Sequence, residues 1–253
     1  MAFQIGDTLG DGIGRAFTYS GVVLMALLFL YQVLFLVAVN SFALQYLPTE
    51  ATESSQFVLS APIPPAVAGG GVVVGLLLGV VLYLVAARAL TREREALDSM
   101  PAELFTRRIG RATLSAVGAN LVVSLAVSVG FLLLVVPGVF LTLSFLFVIF
   151  VVGFEDERAV DALRRSWALA GGNRWQLLAL VVLVGVATGV GSSVGSALSL
   201  VSPAAGELLS LAVSAVFGVV AYGILAEAYL RLADESDGGD GTGTPAPEAD
   251  PVA

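Results

Sequence analysis

The 253 residues are 57% hydrophobic and 13% charged, with a mean hydropathy of +0.93. An ordinary soluble domain is roughly 45–50% apolar and about 25% charged, so a soluble fold that hides its apolar surface is excluded. Cys and His are both absent, which excludes disulfides and thiolate metal sites and removes the commonest general base and zinc ligands. The 12 basic residues are all Arg and stand against 20 acidic ones, giving a pI near 4.5 and excluding a nucleic-acid partner.

Crossing a hydrocarbon core of ~30 Å takes ~20 apolar residues, and that length organises the chain. Ile5, Leu9, Ile13 and Phe17 recur every four residues, as in a helix lying on a membrane surface, while Gly6, Gly10, Gly12 and Gly14 weaken that helix. Asp7 and Asp11 against the single Arg15 argue against a signal peptide. The first span is residues 19–39. The loop 40–69, rich in Ser, Thr and Pro, reads as irregular, and the second span follows at 70–90. Residues 101–109 form a short helix, with Ala102, Phe105 and Ile109 on one face and Glu103 four residues before Arg107.

The third span, 113–136, and the fourth, 139–154, are separated by Pro137-Gly138, a turn signal that ends a helix and closes a hairpin. The fourth is short, reaching about 24 Å at ~1.5 Å per residue. Residues 155–172 read as an amphipathic interfacial helix, with Asp156 as its N-cap and Gly171-Gly172 as its stop. Val160, Leu163 and Trp167 share its apolar face, and Asp161 precedes Arg165 by four. The fifth and sixth spans are 175–201 and 208–230, so residues 1–232 form one transmembrane domain. Residues 233–253 read as a disordered acidic tail.

The arginines test the hairpin. Arg88, Arg92, Arg94, Arg107, Arg108 and Arg111 precede it, while Arg158, Arg164, Arg165 and Arg174 follow it. An even number of crossings between them keeps both clusters on one side, together with Arg15 and Arg231. By the positive-inside rule that side is cytoplasmic. The expected architecture is therefore all-α: an integral membrane bundle of six transmembrane helices with cytoplasmic interfacial amphipathic helices, both chain ends being cytoplasmic and the protein lying in the cell membrane.

Three features could carry function. Arg107, Arg108, Arg111, Arg164, Arg165 and Arg174 form a basic belt at headgroup depth, where guanidinium groups pair with lipid phosphates, although the same residues also serve simply to orient the spans. Gly71, Gly75 and Gly79 on the second span, and Gly185, Gly189, Gly191 and Gly195 on the fifth, have the spacing of close helix packing within the chain or between two copies. Gln32, Asn120, Thr142, Ser144, Ser192 and Ser196 are uncharged polar groups at depth, the kind that would line a path for a small neutral solute. The cluster Glu155, Asp156, Glu157 and Asp161 could hold a divalent ion, but no second acidic motif completes a two-metal site.

ValValProGlyValPhe at 135–140, followed by an acidic residue at Glu155 and then Ala162, Leu163, Ser166, Leu169 and Gly171 or Gly172, resembles the membrane domain that accompanies glycerophosphoryl diester phosphodiesterases. AlaAlaArgAlaLeuThrArg at 86–92 and ProAlaGluLeuPheThrArgArgIle at 101–109 resemble an uncharacterised family of multispan proteins from halophilic archaea, as does the acidic, Lys-free composition, which a GC-rich genome would also favour. The resemblance covers roughly residues 86–185. It implies the topology and no reaction, since the catalytic barrel is absent.

The resulting expectation is a non-catalytic membrane module that contacts membrane lipids, with a homodimer or a membrane partner protein as further associations and no cofactor. The alternatives are a transporter or pore for a small neutral solute and, after it, a lipid-modifying enzyme. With no native Cys, single cysteines replacing Ser54, Ser99 and Ser236 report topology without background. Only position 54 is expected to react with an impermeant thiol reagent from outside; outside labelling at 99 would reverse the orientation.

Overall fold

The computed structural model describes residues 5–47 and 59–239, and the side chains of 191–197 and 237–239 lie outside that description, as do the middle of the outer loop and the acidic tail from residue 240. The chain is all-helical, with no strand among the described residues. We number the main helices α1 (Ile5–Ala16), α2 (Tyr19–Ala43), α3 (Pro65–Leu90), α4 (Ile109–Leu133), α5 (Val135–Ser144), α6 (Ala159–Ala170), α7 (Arg174–Ser199) and α8 (Pro203–Gly239). Five segments are long and apolar enough to cross a membrane: α2, α3, α4, the interrupted stretch Val135–Glu155, and α8. A sixth is reached if α6 and α7, bent by 97°, count as one. This fits a multi-pass membrane bundle.

The hairpin forms, but not at Pro137-Gly138. The chain breaks at Leu134, whose extended backbone (φ −164°, ψ 153°) links α4 to α5. Pro137 lies in the first turn of α5, where amides have no intrahelical acceptor and a proline loses no bond. Gly138 belongs to the packing: a Cβ there would lie 2.5 Å from the Phe131 ring, and one on Gly130 would lie 3.0 Å from the Gly138 Cα. The two arms of the hairpin touch backbone to backbone.

Beyond α5, the expected single fourth span becomes a turn at Val148–Phe150 and a π-helical turn at Val151–Glu155. Irregular backbone survives at membrane depth only where protein covers it, and this segment is covered: Phe147, Phe150, Val151 and Val152 are fully buried. The freed backbone groups find side-chain partners. Ser166 Oγ donates to the Ser144 carbonyl at 3.0 Å and accepts from the Phe147 amide at 3.2 Å, and Arg88 Nε donates to the Gly153 carbonyl at 2.8 Å. The segment can be short because it is the core of the bundle, with lipid-exposed helices around it.

Several local expectations are corrected. Asp156 is not the N-cap of α6, which begins three residues later with Arg158 in that position; Asp156 instead adopts a left-handed conformation (φ 56°). The helix at 101–109 shrinks to one turn at Glu103–Thr106, ending where Arg108 turns left-handed (φ 45°). Helix α8 runs through Ala233 to Gly239, seven residues into the segment expected to be tail, since extending a packed helix costs little once it is nucleated. The outer loop is pinned at its ends. Asn40 Nδ2 donates to the Leu59 carbonyl at 3.0 Å, and Ser41 Oγ accepts from the Ala61 amide at 2.8 Å.

The amphipathic helices pack through their small residues. In α1 the buried positions are Thr8, Gly12, Arg15 and Ala16, while Ile13 and Phe17 are exposed. In α6, Ala162, Ser166, Leu169 and Ala170 are buried, while Val160 and Trp167 are exposed. Each helix docks mainly through small residues, with Ile5, Leu9 and Leu163 partly buried against the core, and leaves Ile13, Val160 and Trp167 outward. Helix α1 crosses α8 at reciprocal glycines: a Cβ on Gly12 would come 2.4 Å from the Ile224 Cα, and one on Gly223 would come 2.4 Å from the Gly12 carbonyl.

Gly10 faces open space. Gly12→Val is therefore expected to lower stability by about 1–3 kcal/mol through overpacking against backbone, whereas Gly10→Ala is expected to raise it by about 0.5–1 kcal/mol through helix propensity. Thermal melting followed by fluorescence-detected size exclusion distinguishes the two.

Candidate functional site

The arginine segments before and after the hairpin meet at one end of the bundle, joined by α1 and by the far part of α8. Two buried guanidinium groups organise this end. Arg15, on the inner face of α1, places Nε 2.7 Å from Glu227 Oε2 on α8, and its Nη1 donates to the carbonyls of Leu90 (3.1 Å) and Arg92 (2.7 Å) just past α3. The other Glu227 oxygen accepts from Arg231 Nε at 2.9 Å; Arg231 reaches Asp11 at 2.6 Å, and Arg94 also pairs with Asp11. One carboxylate–guanidinium chain thus ties α1, α3 and α8 together.

Arg88 is the second centre. Besides Gly153, it donates to the Arg107 carbonyl at 2.8 Å and to Asp156 Oδ1 at 3.0 Å. Asp156 Oδ2 stands 2.8 Å from Arg107, a charge contact without hydrogen-bond alignment, and the Asp156 carbonyl accepts from Arg111 at 2.8 Å. The left-handed turn at Asp156 presents all these acceptors to the arginines. Asp tolerates that conformation better than most residues. Glu155 accepts from the Tyr229 hydroxyl and lies 3.6 Å from Arg165. Arg92 donates to Ser20 Oγ at 3.1 Å and to the Ser99 carbonyl, and desolvation lowers its pKa from the ordinary value.

The described residues also line two hollows. The first, about 540 Å³, lies among α2, α3, α4 and the interrupted segment, and its polar lining comprises Tyr31, Tyr83, Asn120, Ser124, Thr142 and Tyr222. The second, about 500 Å³, lies between α5 and the start of α7; Val135, Val136, Val139, Leu143 and Leu178 form its walls, with Arg174 and Trp175 at the bend. Arg174 lies 4.3 Å over the Phe140 ring and 5.3 Å over Trp167. Its Nε is buried without a hydrogen-bond partner, a state that costs about 1–3 kcal/mol.

The belt expected from sequence divides in three. Arg107, Arg111 and Arg165 hold the Asp156 and Glu155 region together, although Arg107 remains two-thirds exposed and pairs with Asp156 instead of Glu103. Arg108 and Arg164 are exposed, as is Arg158. Arg174 lies against aromatic rings. Asp156 gives its carboxylate to arginines and Glu155 meets Tyr229 and Arg165, and among the described residues no three His, Cys, Asp or Glu converge on a metal-sized site. Of the polar groups at depth, Asn120 and Thr142 share the first hollow; Gln32 is outside its lining, the Ser144 hydroxyl donates to the Phe140 carbonyl of its own helix at 2.8 Å, and the side chains of Ser192 and Ser196 lie outside the described set.

The glycine stripes also divide. A Cβ on Gly75 would meet Phe35 at 2.4 Å, one on Gly79 the Tyr31 hydroxyl at 2.4 Å, and one on Gly71 the Ala38 methyl at 3.3 Å, so this stripe carries the α2–α3 contact. A Cβ on Gly185 or Gly189 would meet nothing within 4 Å, so those two make no close approach within the chain. Gly191 and Gly195 fall in the part of α7 whose side-chain surroundings are not described. Sequence reasoning missed the partners of Arg15, Arg88 and Ser166. The available signal was a single arginine inside each otherwise apolar or small helix face.

A family model described as a domain of unknown function, DUF7847, matches residues 3–232. No curated protein and no solved structure matches the chain.

Glu227→Met leaves the buried Arg15 without its carboxylate and is expected to cost about 3–5 kcal/mol, while Arg15→Met, which leaves Glu227 its contact with Arg231, is expected to cost less. The double replacement is expected to cost clearly less than the sum of the two, a coupling that a double-mutant cycle in detergent-solubilised protein measures.

Proposed function

The chain belongs to the family described as DUF7847, a domain of unknown function, and we propose that it is a non-catalytic membrane module whose arginine-bearing face engages anionic lipid headgroups. The observation that carries this reading is the division of labour among the arginines. Those that penetrate the bundle, Arg15 and Arg88, are committed to carboxylates and carbonyls, whereas Arg108, Arg158 and Arg164 surround the same end with exposed guanidinium groups. Such groups gain most beside phosphates, which they bind through paired N–H donors. The exposed Val160, Trp167 and Trp175 on α6 and α7 suit the same interfacial depth.

Within this reading the face is cytoplasmic and the membrane is the cell membrane, as the positive-inside rule assigns. The resemblance of residues 135–175 to a phosphodiesterase-associated membrane domain, and of the composition to proteins of halophilic archaea, fits a lipid-facing module. A second copy of the chain is the other partner this reading admits, at the open Gly185–Gly189 face. An alternative, binding of a small neutral solute, is favoured by the hollow that gathers Tyr31, Tyr83, Tyr222, Asn120 and Thr142.

Native mass spectrometry after extraction from mixed phosphatidylglycerol and phosphatidylcholine membranes tests the lipid reading. Preferential retention of phosphatidylglycerol is expected, reduced several-fold when Arg108, Arg158 and Arg164 are all replaced by Gln. Equal retention of the two lipids by the unaltered chain would sink it.

A further inference from the structure

We propose that the hollow between α5 and the start of α7 is a site for one phospholipid molecule, with Arg174 holding its phosphodiester and the Val135–Leu178 walls taking the first part of one acyl chain. This rests on the lipid-facing reading above but names a single position and a single residue.

Arg174 differs from every other arginine that enters the bundle. Arg15 and Arg88 are surrounded by oxygen acceptors. Among the described residues Arg174 has neither an ion pair nor a hydrogen bond, and its Nε is buried. The rings of Phe140 and Trp167 flank its guanidinium at 4.3 and 5.3 Å, and these two rings meet edge to face at 5.5 Å. Aromatic contact of this kind orients a guanidinium and shields its face. It supplies no acceptor for the in-plane N–H groups. A planar fork of donors without an acceptor is complementary to a bidentate oxyanion, and phosphate is the oxyanion a membrane offers in quantity.

The rest of the hollow selects the lipid over free phosphate. Its walls are Val135, Val136, Val139, Leu143 and Leu178, with no acidic side chain among its lining residues to repel an anion. Its volume of about 500 Å³ falls within the roughly 300–1,000 Å³ of small-molecule sites. A two-chain lipid exceeds that, so the site takes the phosphate–glycerol end and the start of one chain. The remainder lies along exposed Val135, Val136 and Val182. The bend between α6 and α7 creates the arrangement: turning by 97°, it places Arg174 and Trp175 in the lining of the cavity, with Trp167 of α6 beside the Arg174 guanidinium.

The chain's two tryptophans are Trp167 and Trp175, so intrinsic fluorescence reports on this position alone. The full chain in phosphatidylcholine nanodiscs would be titrated with phosphatidylglycerol brominated near the headgroup end of its chains, with inorganic phosphate and glycerol phosphate as separate arms. Saturable quenching by the lipid, and no response to either soluble phosphate, is expected. Arg174→Gln should weaken the lipid response roughly tenfold or more and Arg174→Lys by less, since an ammonium lacks the fork. Val139→Phe, which fills the hollow and leaves Arg174 in place, should weaken it comparably, and it keeps the test valid if Arg174→Gln does not fold.

Unaltered affinity in both Arg174→Gln and Val139→Phe would overturn the site, and the general lipid-face reading would survive if anionic lipid is still retained. A response to inorganic phosphate equal to that of the lipid would also overturn it, in favour of a soluble anion. Absence of quenching together with equal retention of anionic and zwitterionic lipids would remove both readings.

Discussion

The structure depends on the rule that a charge removed from water must be met by partners, and Arg15 with Glu227 is where the rule is most demanding. Both side chains are almost fully buried, and neither would persist there alone. Meeting the Nε and Nη1 donors of this guanidinium and the two oxygens of the carboxylate draws in the Leu90 and Arg92 carbonyls from the end of α3 and Arg231 from the next turn of α8. The first helix, the second long span and the last helix therefore meet at one point although they are far apart in the chain. Arg88 does the same for the interrupted segment, accepting no substitute geometry because its donors are shared among Gly153, Arg107 and Asp156.

Those polar centres would be unreachable if the helices could not approach closely, and small residues permit it. Gly12 against Gly223, Gly130 against Gly138, and Gly75 and Gly79 beneath Phe35 and Tyr31 are contacts in which any Cβ would collide. In lipid, apolar side chains gain little by leaving one hydrocarbon for another, so close backbone contact and buried polar bonds replace the hydrophobic effect as the source of specificity. This explains why α1 and α6 turn their small faces inward and their Phe, Val and Trp residues outward, the reverse of an amphipathic helix on a soluble protein.

Arg174 stands outside this economy of satisfied charges. It sits beside the 97° bend between α6 and α7, stacked on rings but bonded to no oxygen among the described residues. The broken segment after α5 shows the contrast: there Ser166 meets the Ser144 carbonyl and the Phe147 amide, and Arg88 meets the Gly153 carbonyl. The bundle satisfies its interior breaks from within, and the unmatched donor lies at a cavity mouth where a lipid can reach it.

The sequence by itself determined the membrane class, the approximate positions of the long apolar helices, and the grouping of arginines at one end, because these follow from run length, charge spacing and the reversal that a hairpin imposes. The parity argument holds wherever the hairpin apex lies, since the chain returns in either case. Only the tertiary structure decided that the break falls at Leu134, that Asp156 anchors Arg88 instead of capping a helix, that Gly71, Gly75 and Gly79 pack while Gly185 and Gly189 do not, and that Arg174 alone among the penetrating arginines lacks an acceptor. The physical reason is that hydropathy and periodicity are properties of neighbours along the chain. Which carbonyl fills a guanidinium, and which glycine faces a backbone instead of open space, is fixed by residues that can lie as far apart as the 212 positions separating Arg15 from Glu227.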